Sequence, residues 1–244
     1  MAEIESKQSF EVSILGHELG FDGAVRAGYL AKLLETFRWQ MGRSQSHPVL
    51  SRFKAGVLRA QTIELFHDIR MGDELRVEVF LSRVGRTSLD FESVLFTKAG
   101  QKIGHSLATI VAIGEKGPEP LPPELKAFVH PGEMKHPELG EVDPARAYLR
   151  PDRVRPSDLD LFRHMNQSRY VDFADDARLL AHADGHEAGF TGPLGVISIS
   201  YEDEVRLGQK LDVLLELLPD GSRRFGLRRE GETKLVTKGI VKGR

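Results

Sequence analysis

Hydrophobic residues recur along this chain with two different spacings, and the same order of spacings appears in both halves. In GYLAKLLETFRWQ, apolar residues from Leu30 to Phe37 recur every three or four residues, which is the period of one face of an α-helix. In SRYVDFADDARLLA, apolar residues from Tyr170 to Ala181 form a similar stripe. Each segment is therefore predicted to be an amphipathic helix with one buried face.

Alternating apolar and polar residues follow each helix and predict β-strands. The clearest examples are IELFHDIRMGDELRVEV, from Ile63, and ISISYEDEVRLGQKLDVLL, from Ile197, and each indicates a strand, a turn and a strand. The turn glycines Gly72 and Gly208 give the repeat an offset of 136 residues (208 − 72). A helix with one apolar stripe beside several antiparallel strands predicts an α+β fold, with the helix against one face of a curved sheet.

The segment between the two halves has no sustained apolar period. Its sequence, GEKGPEPLPPELKAFVHPGEMKHPELGEVDP, is rich in proline, glycine and charge. Proline removes a backbone donor and restricts its neighbours, so this composition is typical of a linker. The sequence therefore predicts an N-terminal domain at 1–116, a linker at 117–146 and a C-terminal domain at 147–244.

The composition excludes several classes of function. The 34 lysines and arginines nearly balance the 36 aspartates and glutamates, whereas a general nucleic-acid binder presents a strongly basic face. The chain has no cysteine, so disulfides, thiolate metal sites and cysteine nucleophiles are excluded. The first residues lack a secretory-signal pattern, and no apolar run approaches the ~18–20 residues of a membrane span. We therefore expect a cytoplasmic protein that binds no nucleic acid.

The richest polar cluster of the chain resembles the signature of hotdog thioesterases. The segment DLDLFRHMNQSRYVDFADDAR follows the pattern D-x-D-x-x-x-H-x-N-N-x-x-Y-x-x-x-x-E-x-x-R, and His164, Asn166, Tyr170 and Arg178 fall on its spacing. Gln167 replaces the second asparagine of the pattern, and an aspartate pair on the helix replaces its acidic residues.

Two further segments resemble the acyl-acyl carrier protein (ACP) thioesterases. HELGFDGAVRAGYLAKLLETF is similar to their Y-E-I-G-x-D-like segment, which precedes a long helix, and YEDEVRLGQKL is similar to their Y-R-R-E-C segment. The resemblance covers about residues 10–112 and 148–241. It implies two tandem hotdog domains, each a long central helix wrapped by a curved antiparallel sheet, packed about a pseudo-twofold axis. It also implies hydrolysis of a fatty acyl thioester, with ACP as the favoured carrier and without metal or organic cofactor.

The resemblance implies a candidate catalytic set in the C-terminal half. Asp160, His164 and Glu204 fall on the family's aspartate, histidine and glutamate, whereas Phe162 replaces its asparagine. Thioester hydrolysis requires an activated water or a carboxylate nucleophile, together with donors for the developing oxyanion. A histidine exchanges a proton near neutral pH. Either carboxylate could orient the imidazole or attack the carbonyl itself, and the sequence leaves these alternatives open.

Further residues are interpreted as substrate contacts. Asn166 either contacts the substrate or forms the N-cap of the second helix, and the free N–H groups at 166–168 are suited to an oxyanion. The bulky residues of the first helix are predicted to line the acyl chain as well as the core: Leu33, Leu34, Phe37 and Trp39.

The two halves are predicted to differ in chemistry. In the sequence alignment Leu19 stands at the position of Asp160, and Gly23 at the position of His164. The N-terminal half would then lack the catalytic pair and would serve as scaffold and pocket.

Three alternatives to an ACP-dependent enzyme follow from the same residues. The closest is an acyl-coenzyme A thioesterase, and another is a non-catalytic acyl-binding protein in which Phe162 signals lost activity. A hotdog dehydratase is disfavoured because His164 lies in a D-x-D-x-x-x-H loop. Because fold alone does not decide function, the carrier, the acyl chain length and the oligomeric state, a homodimer included, stay open.

Overall fold

The computed structural model describes residues 7–43 and 56–244 of the chain, which form two long helices and one large sheet. The helices are α1 (Ala27–Arg43) and α2 (Gln167–Ala183). The strands of the first half are β1 (Lys7–Ser13), β2 (Gly56–Leu65), β3 (Glu74–Val84), β4 (Ser88–Thr97), β5 (Lys102–Gly114) and β6 (Gly117–Pro118). Those of the second are β7 (Tyr148–Arg153), β8 (Leu194–Tyr201), β9 (Lys210–Leu217), β10 (Arg223–Arg229) and β11 (Leu235–Gly243). Within these ranges, neither helix has the length and apolar character needed to cross a membrane.

The strands form one continuous antiparallel sheet in the order β1-β3-β4-β5-β2-β8-β11-β10-β9-β7. Strands β2 and β8 join the two halves at its centre, where Thr62 lies opposite Ser198. These residues are also equivalent in the sequence repeat (198 − 62 = 136), so the pseudo-twofold axis passes between them. Their hydroxyl oxygens lie 2.7 Å apart in a buried hydrogen bond. The predicted fold class, two hotdog units each with one helix and a curved sheet, is confirmed.

The helices pack against each other and bury their apolar stripes on the sheet. Gly28 permits the close approach of α1 to α2, because a Cβ there would lie 2.0 Å from Oδ1 of Asp172. Beside this contact, Nη2 of Arg26 lies 3.1 Å from Oδ1 of Asp176. The beginning of α1 therefore lies beside the middle of α2.

The loops before the two helices have the same hydrogen-bond pattern and define which residues are equivalent. The helices begin 140 residues apart (167 − 27). The Gly20 N–H donates to the carbonyl of Ala24, and the Asp160 N–H donates to the carbonyl of His164. Gly20 is therefore the equivalent of Asp160, and Ala24 of His164.

The sequence alignment, which placed Leu19 and Gly23 at these positions, was wrong by one residue. Gly23 is the equivalent of Arg163, and both have a positive φ, 74° and 65°. The backbone turn fixes this equivalence, and residue identity alone could not show it because glycine is replaced by arginine at the turn. Neither Gly20 nor Ala24 carries an acid or a base, so the first half still lacks the candidate pair.

Part of the segment between β6 and β7 is attached to the sheet by polar side chains. His136 contacts Thr62 on β2 through Nδ1 (2.9 Å) and Thr109 on β5 through Nε2 (3.0 Å). The Glu133 N–H donates to Oε2 of Glu92 over 3.1 Å. The segment predicted as a linker is thus attached to both strands by polar contacts. The predicted domain boundaries at 116 and 147 stay a prediction, and the first six residues lie outside the described ranges.

This arrangement predicts a loss of stability at mildly acidic pH. Burial lowers the pKa of His136 below its ordinary 6.5, and Asp90, which raises it, only partly offsets this effect. Burial also lowers the pKa of His105. The unfolded chain therefore takes up protons first as the pH falls, and we expect the free energy of unfolding to decrease below about pH 6.5.

Urea unfolding as a function of pH would measure this effect. His136→Gln is expected to reduce the slope below pH 6.5, whereas the exposed His182 provides a matched control, His182→Gln, with the wild-type slope. An identical slope in His136→Gln and wild type would contradict the assignment to His136.

Candidate active site

The loop from Asp160 to His164 is fixed between α2 and the turn that follows β8. The Met165 N–H donates to the carbonyl of Val205, and the Asn166 N–H donates to the carbonyl of buried Asp158, each over 2.8 Å. A single β-bridge also joins His164 to Arg206. These contacts therefore fix the backbone of the loop relative to the turn between β8 and β9.

His164 and Glu204, which are 40 residues apart in the sequence (204 − 164), come into direct contact. Nε2 of His164 lies 3.1 Å from Oε2 of Glu204. The two side chains are 29% and 54% exposed, so both water and a substrate can reach them. The pair combines a group that can carry a proton with a carboxylate that stabilises its charged form.

The Asp160 side chain forms hydrogen bonds with the backbone of its own loop. Its Oδ1 accepts hydrogen bonds from the N–H groups of Phe162 (2.8 Å) and His164 (3.1 Å). This is the geometry of an aspartate that closes a turn. Asp160 therefore fixes the backbone of His164.

Asn166 is the N-cap of α2. Its Oδ1 accepts from the Ser168 N–H over 2.9 Å and from the Ser168 hydroxyl over 2.7 Å. Of the two interpretations of Asn166, the structure shows the N-cap, and a substrate contact stays a prediction. The Gln167 N–H has no acceptor within the described residues and, as a free donor at a helix N-terminus, can stabilise negative charge.

Two tyrosines lie near the beginning of α2: Tyr170, which the sequence identified as a signature residue, and Tyr201, which it did not predict as a site residue. The Tyr201 hydroxyl donates to the carbonyl of Gln167 over 3.1 Å, and its ring packs edge-on against Tyr170, with centroids 5.5 Å apart. Burial raises the pKa of both phenols, so both stay neutral. Tyr201 is the first residue of the YEDEV segment, and its position in that segment could have identified it from the sequence.

Arg38 on α1 is a further residue that sequence reasoning missed. It is buried, and burial lowers its pKa to about 10 although Glu35 and Tyr201 raise it. It is the equivalent of the signature arginine Arg178 (178 − 38 = 140). Arg38 could have been identified from the sequence if the two helices had been aligned with their correct offset of 140 residues.

The residues predicted to line the acyl chain fall into two groups. Leu33, Leu34 and Phe37 are buried in the core, and the Phe37 ring stacks on Phe10 at 4.8 Å. Trp39 is 47% exposed, and its Nε1 lies 3.4 Å from Oε1 of Glu35. The prediction that Trp39 lies in the core was wrong, since two residues beyond Phe37 is about 200° around a helix. Contact of these four residues with an acyl chain stays a prediction.

Comparisons with known proteins agree with this architecture. Residues 145–239 match the family model of the acyl-ACP thioesterase C-terminal domain, and residues 22–103 match that of the thioesterase superfamily. No curated protein matches the chain at a significant level.

Solved structures show the same fold over the whole chain. An acyl-ACP thioesterase from Bacteroides thetaiotaomicron has a TM-score of 0.82 and 17% identity, over 99% of both chains. The 12:0-ACP thioesterase from Umbellularia californica has a TM-score of 0.80 and 14% identity, over 100% of this chain and 99% of that one. One half of the chain thus matches the C-terminal domain of the acyl-ACP thioesterases and the other matches the thioesterase superfamily, and these two matches identify the chain as a fatty acyl thioester hydrolase.

Proposed function

We propose that the chain hydrolyses acyl-ACP, with His164 and Glu204 as the catalytic pair. The contact between His164 Nε2 and Glu204 Oε2, 3.1 Å long and open to solvent, carries this proposal. The Gln167 N–H at the beginning of α2 completes the set, since acyl transfer needs a donor for the oxyanion as well as a base.

The proposed reaction has two proton transfers. His164 accepts a proton from water as the water oxygen bonds to the thioester carbon, and the Gln167 N–H donates to the resulting oxyanion. The carbon–sulfur bond then breaks, and the imidazolium returns the proton to the leaving sulfur. The products are a fatty acid and the free thiol. The Glu204 carboxylate stabilises the imidazolium between these steps.

Asp160 is proposed as a positioning residue. One of its carboxylate oxygens accepts two backbone N–H groups of the loop. A nucleophilic attack would remove charge from the group that holds His164 in place. The geometry therefore favours water, activated by His164, over the aspartate nucleophile that the sequence left open.

The proposed carrier is ACP because the C-terminal half matches the family model of the acyl-ACP thioesterase C-terminal domain. Three arginines are also exposed around the loop: Arg163, Arg206, which lies 4.0 Å from Glu204, and Arg155, which lies 3.5 Å from Asp152. Complementary charge accelerates the encounter with an acidic partner. A coenzyme A thioester is the second candidate, since its chemistry at the carbonyl is the same.

Thiol release from matched acyl-ACP and acyl-coenzyme A substrates tests the carrier. We expect a higher kcat/KM with acyl-ACP, and we expect Arg163→Gly to lower kcat/KM for acyl-ACP several-fold. Glycine removes the charge and tolerates the positive φ of this residue. Equal or better turnover of acyl-coenzyme A would favour the second carrier. Binding without turnover of either substrate would favour the acyl-binding alternative.

Acyl chain length is expected to depend on the buried residues of α1. Each methylene buried in an apolar pocket contributes about 0.8 kcal/mol, so Leu34→Ala should shift the preferred substrate towards longer chains by a few carbons. The product spectrum of the purified variant measures this shift, and its thermal unfolding shows whether the core still folds. An unchanged spectrum in folded Leu34→Ala and Leu33→Ala would assign these side chains to the core alone.

A further inference from the structure

The buried Asp158 holds both ends of the loop at 155–166 that carries His164 (the His164 loop). Its Oδ2 accepts the Arg155 N–H over 2.8 Å, and its backbone carbonyl accepts the Asn166 N–H over 2.8 Å. The Asp158 side chain is fully buried, and a buried carboxylate is costly unless donors or a cation compensate its charge. A group that compensates this charge therefore also acts on the loop.

Arg169 on α2 is the cation that compensates Asp158. Its Nε lies 2.9 Å and its Nη2 lies 2.8 Å from Oδ1 of Asp158. Its Nη1 donates to Asp172, one turn further along α2, and Asp172 is the residue that packs against Gly28 of α1. One guanidinium thus joins the His164 loop to α2 and to the contact between the two helices.

The first half repeats this loop with a different partner for the carboxylate. Glu18 is the equivalent of Asp158 (158 − 18 = 140) and is also buried. Its Oε2 accepts the Leu15 N–H over 2.5 Å, and its backbone carbonyl accepts the Arg26 N–H over 3.1 Å. These are the equivalents of the two backbone contacts that Asp158 makes. A buried carboxylate at this position is therefore common to both loops.

The arginine, in contrast, stands only in the second half. The equivalent of Arg169 is Tyr29 (169 − 29 = 140), whose phenol forms a hydrogen bond with Glu18. Glu18 also lies 3.6 Å from Nε2 of the exposed His17. A phenol donates a single hydrogen bond and has no permanent charge, whereas a guanidinium has five donors. The first half therefore shows that this loop can form without an arginine.

We infer that Arg169 is a positioning residue, which keeps Nε2 of His164 in contact with Glu204. This role presupposes the proposed catalytic pair. Because a phenol is sufficient for the turn itself, the additional contact of Arg169 with Asp172 fixes the His164 loop relative to both helices. Such precision matters to catalysis, since a misplacement of about 1 Å can lower the rate by about 10²-fold.

Transfer of the tyrosine–glutamate pair from the first half to the second tests this role. The double variant Asp158→Glu/Arg169→Tyr gives the His164 loop the carboxylate and the phenol that support the equivalent loop. We expect it to fold, as measured by thermal unfolding, and to lower kcat for acyl-ACP by about 10–10²-fold with little change in KM. Arg169→Lys keeps the charge but cannot contact both carboxylates as a guanidinium does, so a smaller loss is expected.

A double-mutant cycle with His164→Ala separates positioning from a general loss of structure. If Arg169 acts through His164, the double variant should lose little further kcat in the His164→Ala background. A purely structural role would lower kcat by the same factor in both backgrounds. Tyr29→Phe, the matched change in the first half, removes the hydrogen bond with Glu18 and should leave kcat close to wild type.

Three results would overturn the inference: wild-type kcat in the folded double variant, an equal loss of kcat with and without His164, or an equally large loss in Tyr29→Phe. If the double variant does not fold, Arg169→Lys in the two backgrounds decides the question by the first two criteria. Any of these results together with a large loss in His164→Ala would contradict the role of Arg169 alone. An unchanged kcat in His164→Ala would instead contradict the proposed catalytic pair, so the two failures are distinguishable.

Discussion

His164→Ala is expected to lower kcat by about 10²–10⁴-fold, the usual contribution of general acid–base catalysis, with little change in KM. The side chain is partly exposed, and its Nε2 contacts Glu204, so its loss removes the proton acceptor without opening the core. Steady-state hydrolysis of acyl-ACP measures both constants, and thermal unfolding close to wild type would show an intact fold.

Asp160→Asn separates the carboxylate charge from the turn that it closes. The amide oxygen can still accept from Phe162 and His164, so the loop should keep its backbone and kcat should fall less than in His164→Ala. A nucleophilic Asp160 would give the opposite order, and single turnover in ¹⁸O-water would label the wild-type aspartate. Near-wild-type turnover in both variants would exclude the proposed site.

The helices and most strands could be predicted because their burial follows the chain periodically. The fully buried Leu30 and Leu34 of α1 lie on the predicted stripe, and the turns at Gly72 and Gly208 have the positive φ that glycine favours. Trp39 was placed wrongly in the core because a run of bulky residues is not the same as one helix face, whereas its contact with an acyl chain stays a prediction. Helical geometry alone would have corrected it.

The equivalence of the two halves could be only partly predicted. The central strands repeat at 136 residues and the helices at 140, so the connection between them differs in length by four residues. A single alignment could not reveal this change. Only the family resemblance suggested that His164 and Glu204 lie close together. A local sequence pattern does not show that the loop before α2 will contact the turn between β8 and β9.

The polar contacts that the segment between β6 and β7 makes with the sheet could not be predicted from the sequence. Proline and charge indicate an irregular segment correctly, but they do not show that His136 will reach two strands of the sheet. Long-range hydrogen bonds depend on the final positions of both partners, whereas periodicity reports only local structure. The hydrogen bonds of the signature residue Arg178 could not be predicted either, because the positions of its partners depend on the fold.

Arg178→Ala is expected to destabilise the protein by about 3–5 kcal/mol, the usual cost of removing one partner of a buried ion pair. Nε of Arg178 donates to Oδ1 of Asp175 over 2.7 Å, and both residues are buried. Nη1 donates to the carbonyls of Phe190 (2.8 Å) and Gly192 (3.0 Å). The guanidinium therefore fixes the segment that leads into β8, and its loss leaves a carboxylate and two carbonyls without their donor.

Urea unfolding measures this loss, and its pH dependence identifies the cause. Burial raises the pKa of Asp175, whereas Arg178 lowers it, so Arg178→Ala should raise it further. The folded variant then binds a proton more readily than the unfolded chain, and its deficit relative to wild type should shrink as the pH falls. Asp175→Asn in the Arg178→Ala background should recover part of the deficit at neutral pH, while the exposed-site control Lys234→Ala should stay within about 0.5 kcal/mol of wild type. A deficit that does not change with pH or with Asp175→Asn would assign the role of Arg178 to its two carbonyl contacts instead of its charge.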